Sequence, residues 1–271
     1  MKDGRWSALV TGGGRGLGRA IGERLAAEGA TVGLLARTAA EVVAAAEAIR
    51  DAGGDAIPLV ADVLDRPSLE RAVERFRGKA GGIDTLVCAA GRLRGIGPIG
   101  AVDPDEWWLD LATSLRGAQH AIRAVLPSLR ASDRGSIALL VGPGHNGDLA
   151  FAAGYGAAQA ALVRLVESLD REFQADGLPI FAVHPGLVPT TLIQHLLDSP
   201  DGRRRLPRFT EAFAEGKEVG PEVVAEMVAW LATRRPFELS GRVVAAPSSP
   251  TIYETRLARI QDDDLGVLRL R

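Results

Sequence analysis

A single cysteine, Cys88, stands among 271 residues, so an internal disulfide and a cysteine-based metal cluster are both excluded. Its position in an apolar run fits a reducing, cytoplasmic setting. No apolar run approaches 18 residues, which argues against a membrane span. The opening stretch MKDGRWSALVTGGG has no long apolar region ahead of a cleavage site and is not read as a signal peptide. An excess of one charge is also missing. With 32 basic and 34 acidic residues, the formal net charge is -2 at pH 7. That balance favours neither nucleic acid nor an anionic membrane as partner and points to a small-molecule ligand. No Ser/Gly-rich or Pro-rich linker interrupts the middle of the chain, so one domain over residues 1–271 is expected. No metal site is expected.

What is present is apolar material in short, regular segments. Hydrophobic residues make up 46% of the chain and charged residues 24%, enough for a large core. Strand candidates at Ala8–Thr11, Thr31–Leu35, Ala56–Val60, Ile83–Cys88, Ser136–Val141, Ile180–Val183 and Arg242–Ala245 alternate with helix-length segments. The helices are read from Gly16, over Ala39–Asp51, Pro67–Phe76 and Pro104–Leu129, and from Tyr155 to about Ala175. Such apolar strands, each followed by a crossover, predict an α/β fold: a Rossmann-type doubly wound parallel β-sheet flanked by helices on both faces. Ligands of such sheets bind outside the carboxyl ends of the strands at the switch point, so the segments directly after the strands hold the candidate site.

The first of these reads Thr11-Gly12-Gly13-Gly14-Arg15-Gly16-Leu17-Gly18, between a strand and a helix. Glycines allow a tight turn and close backbone approach to a pyrophosphate, and the helix N-terminus supplies N–H groups and the positive end of its dipole. The second strand ends Leu35-Ala36-Arg37, without the carboxylate that would accept from a ribose 2′-OH. Arg37 with Arg15 can instead clamp a 2′-phosphate. NADP(H) is therefore preferred over NAD(H); the alternative for Arg37 is a solvated charge at a strand end.

The spacing of Gly12, Gly16 and Gly18 resembles that of the short-chain dehydrogenase/reductase family, and further segments agree. Asp62-Val63 matches the family's adenine-contacting pair, Ala90-Gly91 the end of its fourth-strand motif, and Pro185-Gly186-Leu187-Val188-Pro189-Thr190 its nicotinamide-side loop. The resemblance runs from about Ser7 to Ala246. It implies a small carbonyl or hydroxyl substrate and a homo-oligomer, dimer or tetramer. It also implies a catalytic Asn, Ser, Tyr and Lys, and here the pattern fails. Tyr155 stands at the tyrosine position, but the lysine position is Gln159, the serine position Gly142 and the asparagine position Ser114. The family's paired asparagines before Ala-Gly are replaced by Cys88-Ala89. A cation about 4 Å from a phenolate is worth around 4 kcal/mol at an effective dielectric near 20, roughly three pKa units. Without one, Tyr155 is expected to titrate near its ordinary value of about 10, poorly matched to proton transfer at pH 7. Gln159 retains the means to hydrogen-bond a ribose hydroxyl.

A substitute acid or base is sought in Gly142-Pro143-Gly144-His145-Asn146-Gly147-Asp148, where His145, oriented by Asn146 or Asp148, titrates near neutrality. The alternative is a solvent-facing loop histidine. His184 is read as structural, and His120 and His195 carry no functional signal. Residues 191–219 resemble the family's variable substrate lid; their Arg203, Arg204, Arg205 and Arg208 form either a solvated face or an anion attractant. A C-terminal extension, residues 247–271, covers either the pocket or a subunit interface. Three functions remain open: a redox enzyme with atypical catalysis, a non-redox cyclase, isomerase or dehydratase on the same scaffold, and a non-catalytic NADP(H)-binding protein.

Overall fold

The computed structural model describes residues 6–262 and 265–268. Residues 1–5 of the opening stretch, and 263–264 and 269–271 of the extension, lie outside the described residues. Seven strands form one parallel sheet in the order β3-β2-β1-β4-β5-β6-β7. They are β1 (Trp6–Thr11), β2 (Ala30–Ala36), β3 (Asp55–Val60), β4 (Thr85–Cys88), β5 (Ser136–Leu140), β6 (Ile180–His184) and β7 (Val243–Ala245). Winding reverses between β1 and β4, the switch point of a doubly wound sheet. Pro58 lies on β3, an outer strand, where a missing N–H breaks no second ladder.

Side chains alternate across the pleat. Ala8 and Val10 of β1 join one core layer and Leu9 the other. The first layer is closed by α1 (Gly16–Ala27), α2 (Ala39–Asp51) and α9 (Pro221–Arg234). The second is closed by α3 (Arg66–Ala80), α4 (Pro104–Arg130) and α5 (Ala153–Phe173). Helix starts follow local chemistry: Asp65 and Asp103 accept from backbone N–H groups of α3 and α4, each with proline in the first turn.

The segment that the resemblance reads as a lid folds as α6 (Thr191–Asp198), α7 (Pro200–Arg205) and α8 (Pro207–Ala214). Beyond β7, α10 (Pro250–Asp262) packs on the first layer through Ile260. Its Tyr253 hydroxyl accepts from Ala245 N–H at 2.6 Å, and Gly266 O accepts from Val243 N–H at 2.6 Å. Most of the described part of the extension thus lies along β7 and α9, while Pro247 packs on Gly186 at the edge of the cleft described next. No helix among the described residues is long and apolar enough to cross a membrane.

Candidate active site

The carboxyl ends of β1, β2, β4, β5 and β6 open into one continuous cleft. Gly12, Gly14, Arg15, Gly16, Leu17 and Gly18 line one part of it, Arg37, Asp62 and Val63 its β2–β3 end, and Ala90 and Gly91 its centre. Pro185, Gly186, Val188 and Thr190 border the far end, together with Ser114, Gly142, Tyr155 and Gln159. The turn is cut to bring backbone groups together. Gly12 has φ 70°, a left-handed conformation. A side-chain carbon on Gly18 would stand 2.2 Å from Gly12 O, and one on Gly12 would stand 2.8 Å from Ala90 N. This close-approach cradle at a helix N-terminus fits the pyrophosphate of a nicotinamide dinucleotide.

At the other end, the three replaced positions form one hydrogen-bonded line. Gln159, buried on α5, accepts through Oε1 from Gly142 N–H at 2.8 Å and donates through Nε2 to Ser114 Oγ at 3.4 Å. A carboxamide, with one acceptor and one donor group, ties β5 to α4 here, a task that a lysine cannot perform. Its amide oxygen is thereby engaged, while the second Nε2 hydrogen is not used by these two bonds. Tyr155 fills the space vacated at position 142: a side-chain carbon on Gly142 would lie 2.1 Å from the Tyr155 hydroxyl.

The sequence alone places the Tyr155 phenol near its ordinary pKa, but the structure pushes it higher, first by burial and then by the negative charge of Asp110. Both influences favour the protonated phenol. Around it a third apolar cluster joins Leu93, Leu149, Ala152, Ile193, Leu196, Leu206 and Phe209. Of the residues in and against this cluster, Leu187, Leu192 and Ile193 line the cleft beside Tyr155, which gives that end apolar walls.

His145 takes a different place from the one the sequence suggests. It is buried and does not line the cleft. Its Nδ1 donates to Gly142 O at 2.9 Å and its ring lies 4.5 Å from that of His184, whose Nδ1 donates to Val141 O at 3.0 Å. Burial lowers both imidazole pKa values, with His184 acting further on His145. These rings brace the backbone behind the site in their neutral form. The unfolded chain takes up protons near pH 6.5 that the folded pair refuses, so the pair withdraws stability as pH falls below about 6.5. The Tm of the wild type is expected to drop more between pH 7.5 and 5.5 than that of the His145→Asn/His184→Asn variant; parallel curves would remove this role.

Three of the four arginines in the basic run of residues 203–208 hold local structure. Arg203 donates to the Leu197 and Asp198 carbonyls at the end of α6, Arg205 pairs with Asp201 at 2.9 Å, and Arg208 donates to Asp148 O at 3.3 Å. None of the three lines the cleft.

Two residues near the site escaped sequence reasoning. Asp110, 1% exposed on α4, accepts from Arg92 Nη1 at 2.8 Å and from the N–H groups of Arg94 at 2.8 Å and Gly95 at 2.7 Å. Arg92 also pairs with Glu106. The carboxylate so pins the loop that carries Leu93 against Tyr155, and burial pushes its own pKa up. Its signal lay in the helical stripe Asp110, Ser114, Gly117, Ala118, Ala121, where a charge occupies an inward position. Glu41, in the first turn of α2, lines the β2 end of the cleft, where an amphipathic pattern shows only a polar position.

Residues 7–200 match the short chain dehydrogenase family. The chain is similar to the short chain dehydrogenase pigC of Monascus ruber, 30% identical over 96% of this chain and 85% of that one. It is similar to the 3-oxoacyl-[acyl-carrier-protein] reductase FabG of Escherichia coli K12, 32% identical over 88% and 93%. Among solved structures, a variant of actinorhodin polyketide ketoreductase determined with NADPH is 28% identical, with TM-score 0.79 over 89% of this chain and 95% of that one. The chain belongs to the short chain dehydrogenase family, whose members are oxidoreductases that use a nicotinamide coenzyme.

Proposed function

We propose that this protein binds NADP(H) in preference to NAD(H) and acts on a small carbonyl or hydroxyl compound, by catalysis in which Tyr155 serves as a neutral hydrogen-bond donor. The observation that carries this reading is the line Ser114–Gln159–Gly142, which joins the replaced positions beside a buried phenol with no lysine. Arg15 and Arg37 at the β2 end support the coenzyme choice. The apolar walls around Tyr155, and the carbonyl substrates named for FabG and the actinorhodin ketoreductase, support the substrate class. A nicotinamide coenzyme held in this cleft supplies or accepts hydride. Tyr155 would hold the substrate oxygen by a hydrogen bond while the proton that completes the alcohol, or leaves in the reverse direction, is exchanged with water. Gln159 and Ser114 keep the floor of the site in register, and residues 191–219 close over it as the lid.

The proposal treats residues 1–271 as one domain acting in the cytoplasm. Exposed apolar side chains such as Ile99, 75% exposed, and Trp108, 60% exposed, support a homo-oligomer. The same neutral phenol favours a second reading, a non-redox cyclase, isomerase or dehydratase in which bound coenzyme only orients the substrate.

One experiment separates them. The protein is first titrated with NADPH and NADH by calorimetry, then incubated with a panel of apolar ketones while absorbance at 340 nm and product mass are followed. Absorbance is expected to fall as alcohol forms. Loss of one neutral hydrogen bond in Tyr155→Phe should lower turnover about tenfold. A loss on the order of 10³ would return Tyr155 to the ordinary acid role. Product formed with no change at 340 nm would favour the non-redox reading.

A further inference from the structure

We infer that Glu41 is a coenzyme-specificity residue that weakens the hold of this cleft on a 2′-phosphate; the inference rests on the proposed NADP(H) reading. Both guanidiniums at the β2 end already face a carboxylate. Arg15 Nη1 lies 3.2 Å from Glu41 Oε1, and Arg37 Nη1 lies 3.7 Å from Asp62 Oδ2. The two acids differ in how they are held. Asp62 is committed to its own turn, accepting from Leu64 N–H at 2.9 Å. The Glu41 carboxylate has Arg15 as its polar partner.

Glu41 is in the site through its backbone rather than through a stray rotamer. Its Cβ packs so closely on the glycine turn that a side-chain carbon on Gly14 would stand 2.9 Å from it. It also sits in the first turn of α2, at the positive end of that helix. A 2′-phosphate reaching this corner therefore competes with Glu41 for Arg15 and for the same helix terminus. Once displaced, the carboxylate is left beside a doubly charged group. A 2′-hydroxyl meets the opposite situation, because it donates to Glu41 while Arg15 remains paired. The sequence places no carboxylate at the end of β2, yet the fold brings one there from the neighbouring helix.

The test is the ratio of Kd values for NADH and NADPH, measured by calorimetry on the full chain, without turnover. Glu41→Gln keeps size and hydrogen bonding and removes the charge. It is expected to tighten NADPH about two- to fivefold, the range for one partly exposed charge, and to leave NADH unchanged or weaker. Glu41→Ala should shift the ratio in the same direction, and raising the salt concentration should shrink the difference between variant and wild type. A ratio within twofold of wild type in both variants, with clear NADPH binding, overturns this inference alone. Failure of the wild type to bind either coenzyme overturns the underlying coenzyme reading and this inference with it.

Discussion

Restoring the family's residues in the Gly142→Ser/Gln159→Lys variant is expected to destabilise the protein and leave turnover no higher than in the wild type. A side-chain carbon at position 142 would sit 2.1 Å from the Tyr155 hydroxyl, and overpacking of this kind costs about 1–3 kcal/mol. Lysine at 159 removes the acceptor of the Gly142 N–H and a donor to Ser114, and it buries a cation at a position 2% exposed. An unmatched buried N–H costs about 1–3 kcal/mol. The sum is a few kcal/mol, which at about 2–4 °C per kcal/mol lowers Tm on the order of 10 °C. Differential scanning calorimetry and a 340 nm assay on the same preparations check both halves. A variant that melts with the wild type and turns over a ketone a hundredfold faster would show that Tyr155 swings clear and that only the two replaced groups limit the chemistry.

Asp110→Ala is expected to be the most damaging single change outside the glycine turn. It leaves the Arg92 guanidinium and the N–H groups of Arg94 and Gly95 without their acceptor. Removing one partner of a buried ion pair costs about 3–5 kcal/mol. The effect should reach the site, because the freed loop carries Leu93 of the apolar cluster around Tyr155. The measurable outcome is a large fall in Tm together with faster hydrogen exchange in residues 91–97. Asp110→Asn, which keeps an acceptor but loses the charge, should recover part of the stability. If Asp110→Ala melts within about 2 °C of the wild type, the pair is not holding the loop, since that shift corresponds to about 1 kcal/mol or less.

Legibility of the fold followed burial. Strands of a parallel sheet covered on both sides are apolar along their length, so each of the seven was visible as a short hydrophobic run, misplaced by two residues at most. Ends were less visible where caps decide them: α3 runs to Ala80 because Gly81 adopts the left-handed cap, well past the last apolar position at Phe76. That the glycine turn and the strand-end residues line one cleft was legible because each directly follows a strand of the sheet. His145 was not: in sequence it is a polar loop residue, and only the packing of His184 beside it turns it inward. Asp110 and Glu41 were hidden for the same reason, each being ordinary on its own helix and significant only for what another segment brings against it.

From the chain alone, periodicity determined the parallel sheet and its covering helices, and the residues themselves placed a glycine-rich turn after the first strand and a glutamine where the resemblance implies a lysine. Those are local properties, set by which residues follow one another. Tertiary structure alone decided that Gln159 bridges Gly142 to Ser114, that Tyr155 fills the gap at Gly142, and that a carboxylate shadows Arg15. Each depends on distances between residues 13 to 45 positions apart, and hydrogen bonds and charges act through space rather than along the chain.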